Sequence, residues 1–209
     1  MFVRDVMTPV VTTVSPDDTL LRAAEVMRDS GFESLVAARD RIPAGVVSLR
    51  QIALHRLSNP SVLLEQSYVR EVLQESPITT GADEVIEAAA FKLYRNDLDA
   101  LPVVNPRTGR LEGIVTTSDV LRAFIFMLGL RSRSTRITLE VPDIVGMLAD
   151  VCQIVRSCGI SIASLATFTP AGQDVAEVVL RVKTPETDQL VRRLNNAGFK
   201  VVHVSRVWE

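Results

Sequence analysis

The stretch GIVTTSDVLRAF, residues 113–124, places a glycine, two β-branched apolar residues and three hydroxyls ahead of an aspartate and an apolar run. Ile114 and Val115 are strand formers, and Thr116 ends the strand with a hydroxyl suited to capping a helix. A looser copy, GVVSLRQIALHRL, occupies residues 45–57. Further out, VRDVM at 3–7 matches VREVL at 69–73, a shift of 66 residues. The same shift pairs Asp17-Asp18 with Asp83-Glu84, Ala23-Ala24 with Ala89-Ala90, Met27 with Leu93 and Leu35 with Leu101. At the glycines it becomes 68, Gly45 to Gly113, so two residues were gained where ARDRIPA faces VNPRTGRLE. Insertions gather in turns, and NPRTG has the chemistry of one. The chain carries two copies of one fold.

Each copy parses alike. A Ser/Asp-rich opening (SPDDT, GADEV) is expected to cap a helix, DTLLRAAEVMRDSG or DEVIEAAAFKLYRND, with apolar residues at helical spacing. A strand follows (SLVAA, ALPVV), then the hairpin, a second strand (AGVVS, EGIVT) and a final helix from Ser48 or Thr116. A β-α-β-β-α unit of about 60 residues is small for an isolated core, so the two should pair.

Near residue 130 the pattern changes. LRSRSTR reads as a polar, basic linker, after which TRITLEV is a strand and PDIVG a turn into the helix MLADVCQIVRSCG. ISIASLATF and AEVVLRVKT are strands joined by PAGQD, where Gly172 is available for positive φ. PETDQLVRRLNNAG is a helix ending at Gly198, and FKVVHVSRVW a last strand. This βαββαβ order predicts one antiparallel sheet with two helices on one face.

Composition narrows the function classes. The 209 residues are 47 % hydrophobic with a net charge of −2, which gives no basic field for nucleic acid. No apolar run approaches the about 18 residues of a membrane span, and MFVRDVMTPV lacks a signal-peptide core, so the expectation is a cytoplasmic protein. Cys152 and Cys158 sit six residues apart on a helix, about 9 Å, too far for a disulfide, and read as buried thiols. With only His55 and His203 beside them, no metal motif forms.

The two repeats resemble a tandem pair of CBS domains, a Bateman module, and the C-terminal part resembles an ACT domain. The resemblance implies an α+β protein with CBS repeats at 1–64 and 65–128, a linker at 129–135 and a ferredoxin-like ACT domain at 136–209. The CBS-CBS-ACT order is similar to that of the bacterial acetoin-utilisation regulatory proteins.

Chemistry and resemblance meet at the opening motif. Asp119 lies one helical turn past Thr116, and its carboxylate can accept from both vicinal hydroxyls of a ribose. The matching residues of CBS domains are nucleoside contacts, with Gly113 allowing close approach to the strand. The alternative is structural: Thr116 caps the helix and Asp119 favours its positive end. Ile78, Thr80, Leu101 and Pro102 then face adenine or simply pack the core. In the first repeat Ser48 keeps the hydroxyl but Gln51 replaces the aspartate, which predicts a weaker or empty site.

Basic residues that the family places before the LPV strand for phosphate are replaced by Glu33-Ser34 and Asp99-Ala100. Replacement cations are His55-Arg56, similar to a phosphate-contacting pair of the AMP-kinase gamma subunit, and Arg122. The implied ligand is AMP, ADP, ATP or the less anionic S-adenosylmethionine.

In the last domain, Asp143, Ile144, Val145, Gly146, Met147 and Leu148 resemble the ACT pattern Asp-x-x-Gly-x-Leu. Gly146 is expected to permit close approach, Leu148 to anchor the core, and Asp143 to meet an amino acid's ammonium or cap the helix. The domain otherwise serves as a dimerisation surface. No nucleophile elbow, P-loop or dinucleotide turn is present, and His203 alternates along a strand as a sheet-face residue. Asp17-Asp18 and Asp83-Glu84 read as helix caps. The expectation is a non-catalytic sensor, a homodimer, or else a ligand-free scaffold that docks to an enzyme partner.

Overall fold

Strand and helix alternate through the first 127 residues because the apolar residues switch between periods of two and of three to four. The computed structural model describes residues 1–74, 76–170 and 175–207, and the turn expected at Gly172 lies outside them. The chain divides into two units, Met1–Ala123 and Phe124–Glu209.

In the first repeat, β1 (Thr13–Val14) runs parallel to β2 (Ser34–Arg39), which is antiparallel to β3 (Ile42–Ser48). Helices α1 (Leu20–Ser30) and α2 (Leu49–Ser58) complete it. The second repeat holds α3 (Ile86–Arg95), β4 (Ala100–Val104), β5 (Leu111–Thr116) and α4 (Thr117–Met127). Its opening strand shrinks to one parallel bridge, Thr80 to Val103. The residues gained lie where the register broke. Asp40 and Arg41, with φ of 52° and 65°, make the tight first turn, while 105–110 form the longer second. There Asn105 Oδ1 accepts from the Arg107 and Thr108 amides at 3.0 and 3.2 Å.

The expected acidic caps are not the caps. Thr19 Oγ1 accepts from the Arg22 amide at 3.1 Å and caps α1, and α3 starts after Val85 with no side-chain cap. The acids work one turn earlier, where the chain must bend before a helix. Asp18 accepts from the Ser15 amide, Asp17 pairs with Arg39 and Arg70, and Asp83 pairs with Arg4. Glu84 accepts from Lys92 Nζ (2.7 Å), Thr80 Oγ1 (3.0 Å) and the Gly81 amide (3.3 Å). Burial opposes its charge, but these donors outweigh burial and hold the carboxyl below its usual pKa.

The two leading segments are exchanged between the repeats. Residues 1–8 bond to the second repeat: the Val3 amide to Glu84 O, and Thr8 to Ile114 in both directions. Residues 67–73 bond to the first: the Leu20 amide to Ser67 O and the Val69 amide to Asp18 O. Val69 is fully buried in the first repeat's core with Val14, Leu20, Met27, Leu35, Val47 and Ile52. A β-carbon on Gly113 would lie 2.9 Å from Thr8 O, so the close approach expected there is made by this exchanged backbone.

The second unit is the βαββαβ sandwich. Strands β6 (Ser134–Pro142), β7 (Ile162–Phe168), β8 (Val175–Val182) and β9 (Lys200–Val207) pair antiparallel in the order β7-β8-β6-β9. One face, with Ile137, Leu139, Val178 and Leu180, packs on α5 (Met147–Ser157) and α6 (Asp188–Asn196). Met147 is buried at the start of α5 while Leu148 is 37 % exposed, so the anchor is one residue earlier than expected. Gly146 is needed for its φ of 92°, since a β-carbon there would touch nothing. It occupies the N-cap position, leaving Asp143 to accept from Thr169 Oγ1 at 3.0 Å instead. Cys152 and Cys158 are free thiols, half-buried rather than buried. His203 lies on the sheet face opposite the helices, paired with Thr138. Among the described residues no helix is long and apolar enough to cross a membrane.

Candidate functional site

Each repeat ends its hairpin in a strand-to-helix corner, and both corners are closed by the same reciprocal device. At the second, Asp119 Oδ2 accepts from the Thr116 amide (3.0 Å) and Thr116 Oγ1 (2.7 Å), and Thr116 Oγ1 accepts from the Asp119 amide (3.2 Å). At the first, Gln51 Oε1 accepts from the Ser48 amide (2.8 Å) and Ser48 Oγ (3.2 Å), and Ser48 Oγ accepts from the Gln51 amide (3.3 Å). A side chain three residues past the cap reaches back to it whether acid or amide.

What differs is the capacity left over. A carbonyl oxygen has two lone pairs, and both of Gln51's are taken; its amide also donates to Val72 O at 3.2 Å. Asp119 carries two oxygens and a charge. Oδ2 serves the corner, and Oδ1 takes one contact, from Arg122 at 3.3 Å. Asp119 is 7 % exposed, so its remaining acceptor capacity stands in a low-dielectric setting where a donor counts for more than in water.

Beside the first corner lies a cavity of about 210 Å³ lined by Ser34, Val46, Ser48, Gln51, Gln74 and the Asn96–Asp99 turn of the second repeat. Ser34 Oγ is buried there without a hydrogen-bond partner among the described residues. Arg50 pairs with Asp97 at 2.8 Å across the two repeats, and its hydrogen bond and charge lower the Asp97 pKa. Gln74, Asn96 and Asp97 were not singled out from the sequence. The sequence signal for Asn96 and Asp97 is position, since they fall in the turn before β4 with Asp99, as Ser34 opens β2 in the first repeat.

The remaining expected residues divide. Ile78 joins the first corner, lining a smaller cavity with Gly45, Gln51 and Leu98. Thr80, Leu101 and Pro102 are buried in the second repeat, and the Thr80 hydroxyl donates to Glu84. His55 Nε2 lies 3.1 Å from Ser67 Oγ, and the Arg56 guanidinium donates to the carbonyls of Pro60 and Val62. Both thus bind the connection between the repeats. In the second unit Ile144 and Val145 are exposed at the tip of the turn before α5.

Residues 3–57 and 69–125 match the family model of the CBS domain, and residues 134–205 match that of the TTHA0829-like ACT domain. The chain is 33 % identical over 110 residues to inosine-5'-monophosphate dehydrogenase of Korarchaeum cryptofilum, a match covering 53 % of this chain. It is 27 % identical over 118 residues to the CBS domain-containing protein YhcV of Bacillus subtilis, covering 56 % of this chain and 81 % of that one. The chain spans about a fifth of the length of that dehydrogenase, 21 %. Among solved structures, CBSX2 in complex with AMP superposes with a TM-score of 0.50 at 27 % identity, over 59 % of this chain and 96 % of that one.

Proposed function

Because this chain belongs to the CBS-domain family and continues into a TTHA0829-like ACT domain, we propose that it is a non-catalytic regulator whose CBS pair binds an adenosyl ligand. The observation that carries this reading is the buried Asp119 carboxylate, which keeps acceptor capacity after closing its own corner. The vicinal hydroxyls of a ribose are donors suited to it. AMP in the complex of the similar CBSX2 supports an adenine nucleotide; ADP, ATP and S-adenosylmethionine share the same ribose. Asp99 beside the first cavity favours a less anionic ligand there, because a carboxylate repels phosphate, while Asp97 is already paired with Arg50.

In this reading the ligand biases the two repeats toward one arrangement by binding it better than another. The ACT domain then dimerises the chain or senses an amino acid through the turn at 143–148. The domain order supports acetoin utilisation as the process regulated. A ligand-free scaffold that docks to an enzyme is the second reading, favoured by Thr80, Leu101 and Pro102, which are buried in core and unavailable to a purine.

Titration calorimetry with AMP, ADP, ATP and S-adenosylmethionine tests the first reading. At least one is expected to bind wild type, and Asp119→Ala to bind it about tenfold to a hundredfold more weakly, the worth of hydrogen bonds to a charged group. No binding by wild type, or equal binding by Asp119→Ala, rejects it in favour of the scaffold.

A further inference from the structure

The sheet of the second unit carries a buried cation with no counter-charge among the described residues. Arg181, on β8, is 7 % exposed. Directly opposite it across the β6–β8 ladder stands Arg136, on the face turned away from α5 and α6. Like charges facing each other on adjacent strands destabilise a sheet. Burial first, and then the Arg136 charge, press Arg181 below its ordinary pKa, yet a guanidinium stays protonated. Its hydrogen bond to Ser134 Oγ is 3.5 Å long. No salt bridge joins Arg181 or Arg136 to a carboxylate among the described residues. On the same face the next acidic rung is Glu140 with Glu177, four residues along each strand and about 13 Å away at strand rise. Glu140 is itself bound by Lys200 at 2.6 Å.

A second anomaly lies on the same face. Thr138, two residues beyond Arg136, is 4 % exposed, and its hydroxyl is buried without a partner among the described residues. A buried hydroxyl and a buried guanidinium left short of partners each cost stability, and one occupant can relieve both.

We propose that Arg181, Arg136, Thr138 and Ser134 form a binding site for a phosphoryl group on the sheet face turned away from α5 and α6, beside the turn at Leu128–Gly129 that Ser164 binds. Charge balance selects the class. Two guanidiniums call for about two negative charges, which a phosphate monoester carries at neutral pH and a carboxylate does not. Arginine forks match phosphate oxygens two at a time, and the threonine hydroxyl donates to a third. Arg136 is half-buried, so the site opens toward solvent on its side. The site lies in a different unit from Asp119 and does not depend on the adenosyl reading.

Thermal unfolding of the full chain in rising inorganic phosphate, against sodium chloride of equal ionic strength and against sodium acetate, tests it. Wild type is expected to gain melting temperature with phosphate alone. Arg181→Met is expected to lose that gain while melting no lower than wild type in chloride, since it removes an uncompensated buried charge. Thr138→Val is expected to keep the fold and to require several-fold more phosphate for the same gain. The proposal fails if wild type shows no phosphate-specific gain, or if acetate matches phosphate. It also fails if Arg181→Met keeps the gain, which would put the phosphate elsewhere. Should Arg181→Met not fold, an unchanged phosphate response in Thr138→Val overturns it.

Discussion

At the scale of single residues, the two corners differ at two positions: Ser48 stands where Thr116 does, and the longer amide side chain of Gln51 where Asp119 does. Gln51 and Asp119 stand three residues past their caps and close them identically, so position and spacing alone do not distinguish a structural corner from a ligand clamp. In the proposed reading, the count of unused lone pairs does. Gln51→Asp should therefore convert the first corner into a second acceptor beside the cavity that holds Ser34 and Gln74. Calorimetry with whichever of AMP, ADP, ATP and S-adenosylmethionine binds wild type is expected to show a second binding event in Gln51→Asp. A titration identical to wild type would mean that the cavity, not the acceptor, limits the first site. The inequality between the corners was legible in the sequence, because Gln51 against Asp119 is visible in an alignment of the chain with itself. The cavity was not: Asn96 and Asp97 come from the other repeat, and their approach depends on how two similar units face each other.

At the scale of elements, the strands and helices were legible almost throughout, because each buries one periodic face. What failed was the assignment of acids to helix caps. Asp17, Asp18, Asp83 and Glu84 cluster before helices, and proximity alone cannot separate a cap from the bend that precedes it. Glu84 gives this distinction a measurable form. Its folded pKa lies below the unfolded value, so its contribution is present above the usual carboxylate range and is lost as pH falls through the folded pKa. Comparing urea midpoints at about pH 6 and about pH 3.5, wild type should lose more stability on acidification than Glu84→Gln. Equal losses would mean that the Lys92–Glu84 contact adds nothing, as many half-exposed pairs do. The same limit applies to the turn before α5. Leu148 and Met147 are adjacent apolar residues at a helix start, and which one faces the core depends on where the first turn begins, a matter of one residue.

At the scale of the molecule, the repeat as written differs from the repeat as folded. Self-comparison places VRDVM and VREVL at the head of their own copies, yet each completes the core of the other. Residue identity carried no sign of this, because Val3 and Val69 are equally suited to either core. Val69→Ala should cost about 2 kcal/mol from the lost methyl groups and the space they leave. Hydrogen exchange is expected to quicken in peptides spanning Val14 to Ile52, and to stay as in wild type across Ile86 to Ala123. Faster exchange confined to the later peptides would contradict the exchanged arrangement.

That arrangement also has an order in time. Synthesis runs from N- to C-terminus, so the first repeat's own strands and helices leave the ribosome before the piece that seals their core. Met1 to Thr8, by contrast, is finished early and finds its partners only when residues 82–86 and then β5 have been made. The first seam can close once residues 67–73 have emerged, while the second stays open until residue 114 has followed. A stop in translation between the repeats would release a first repeat whose apolar interior lacks its lid.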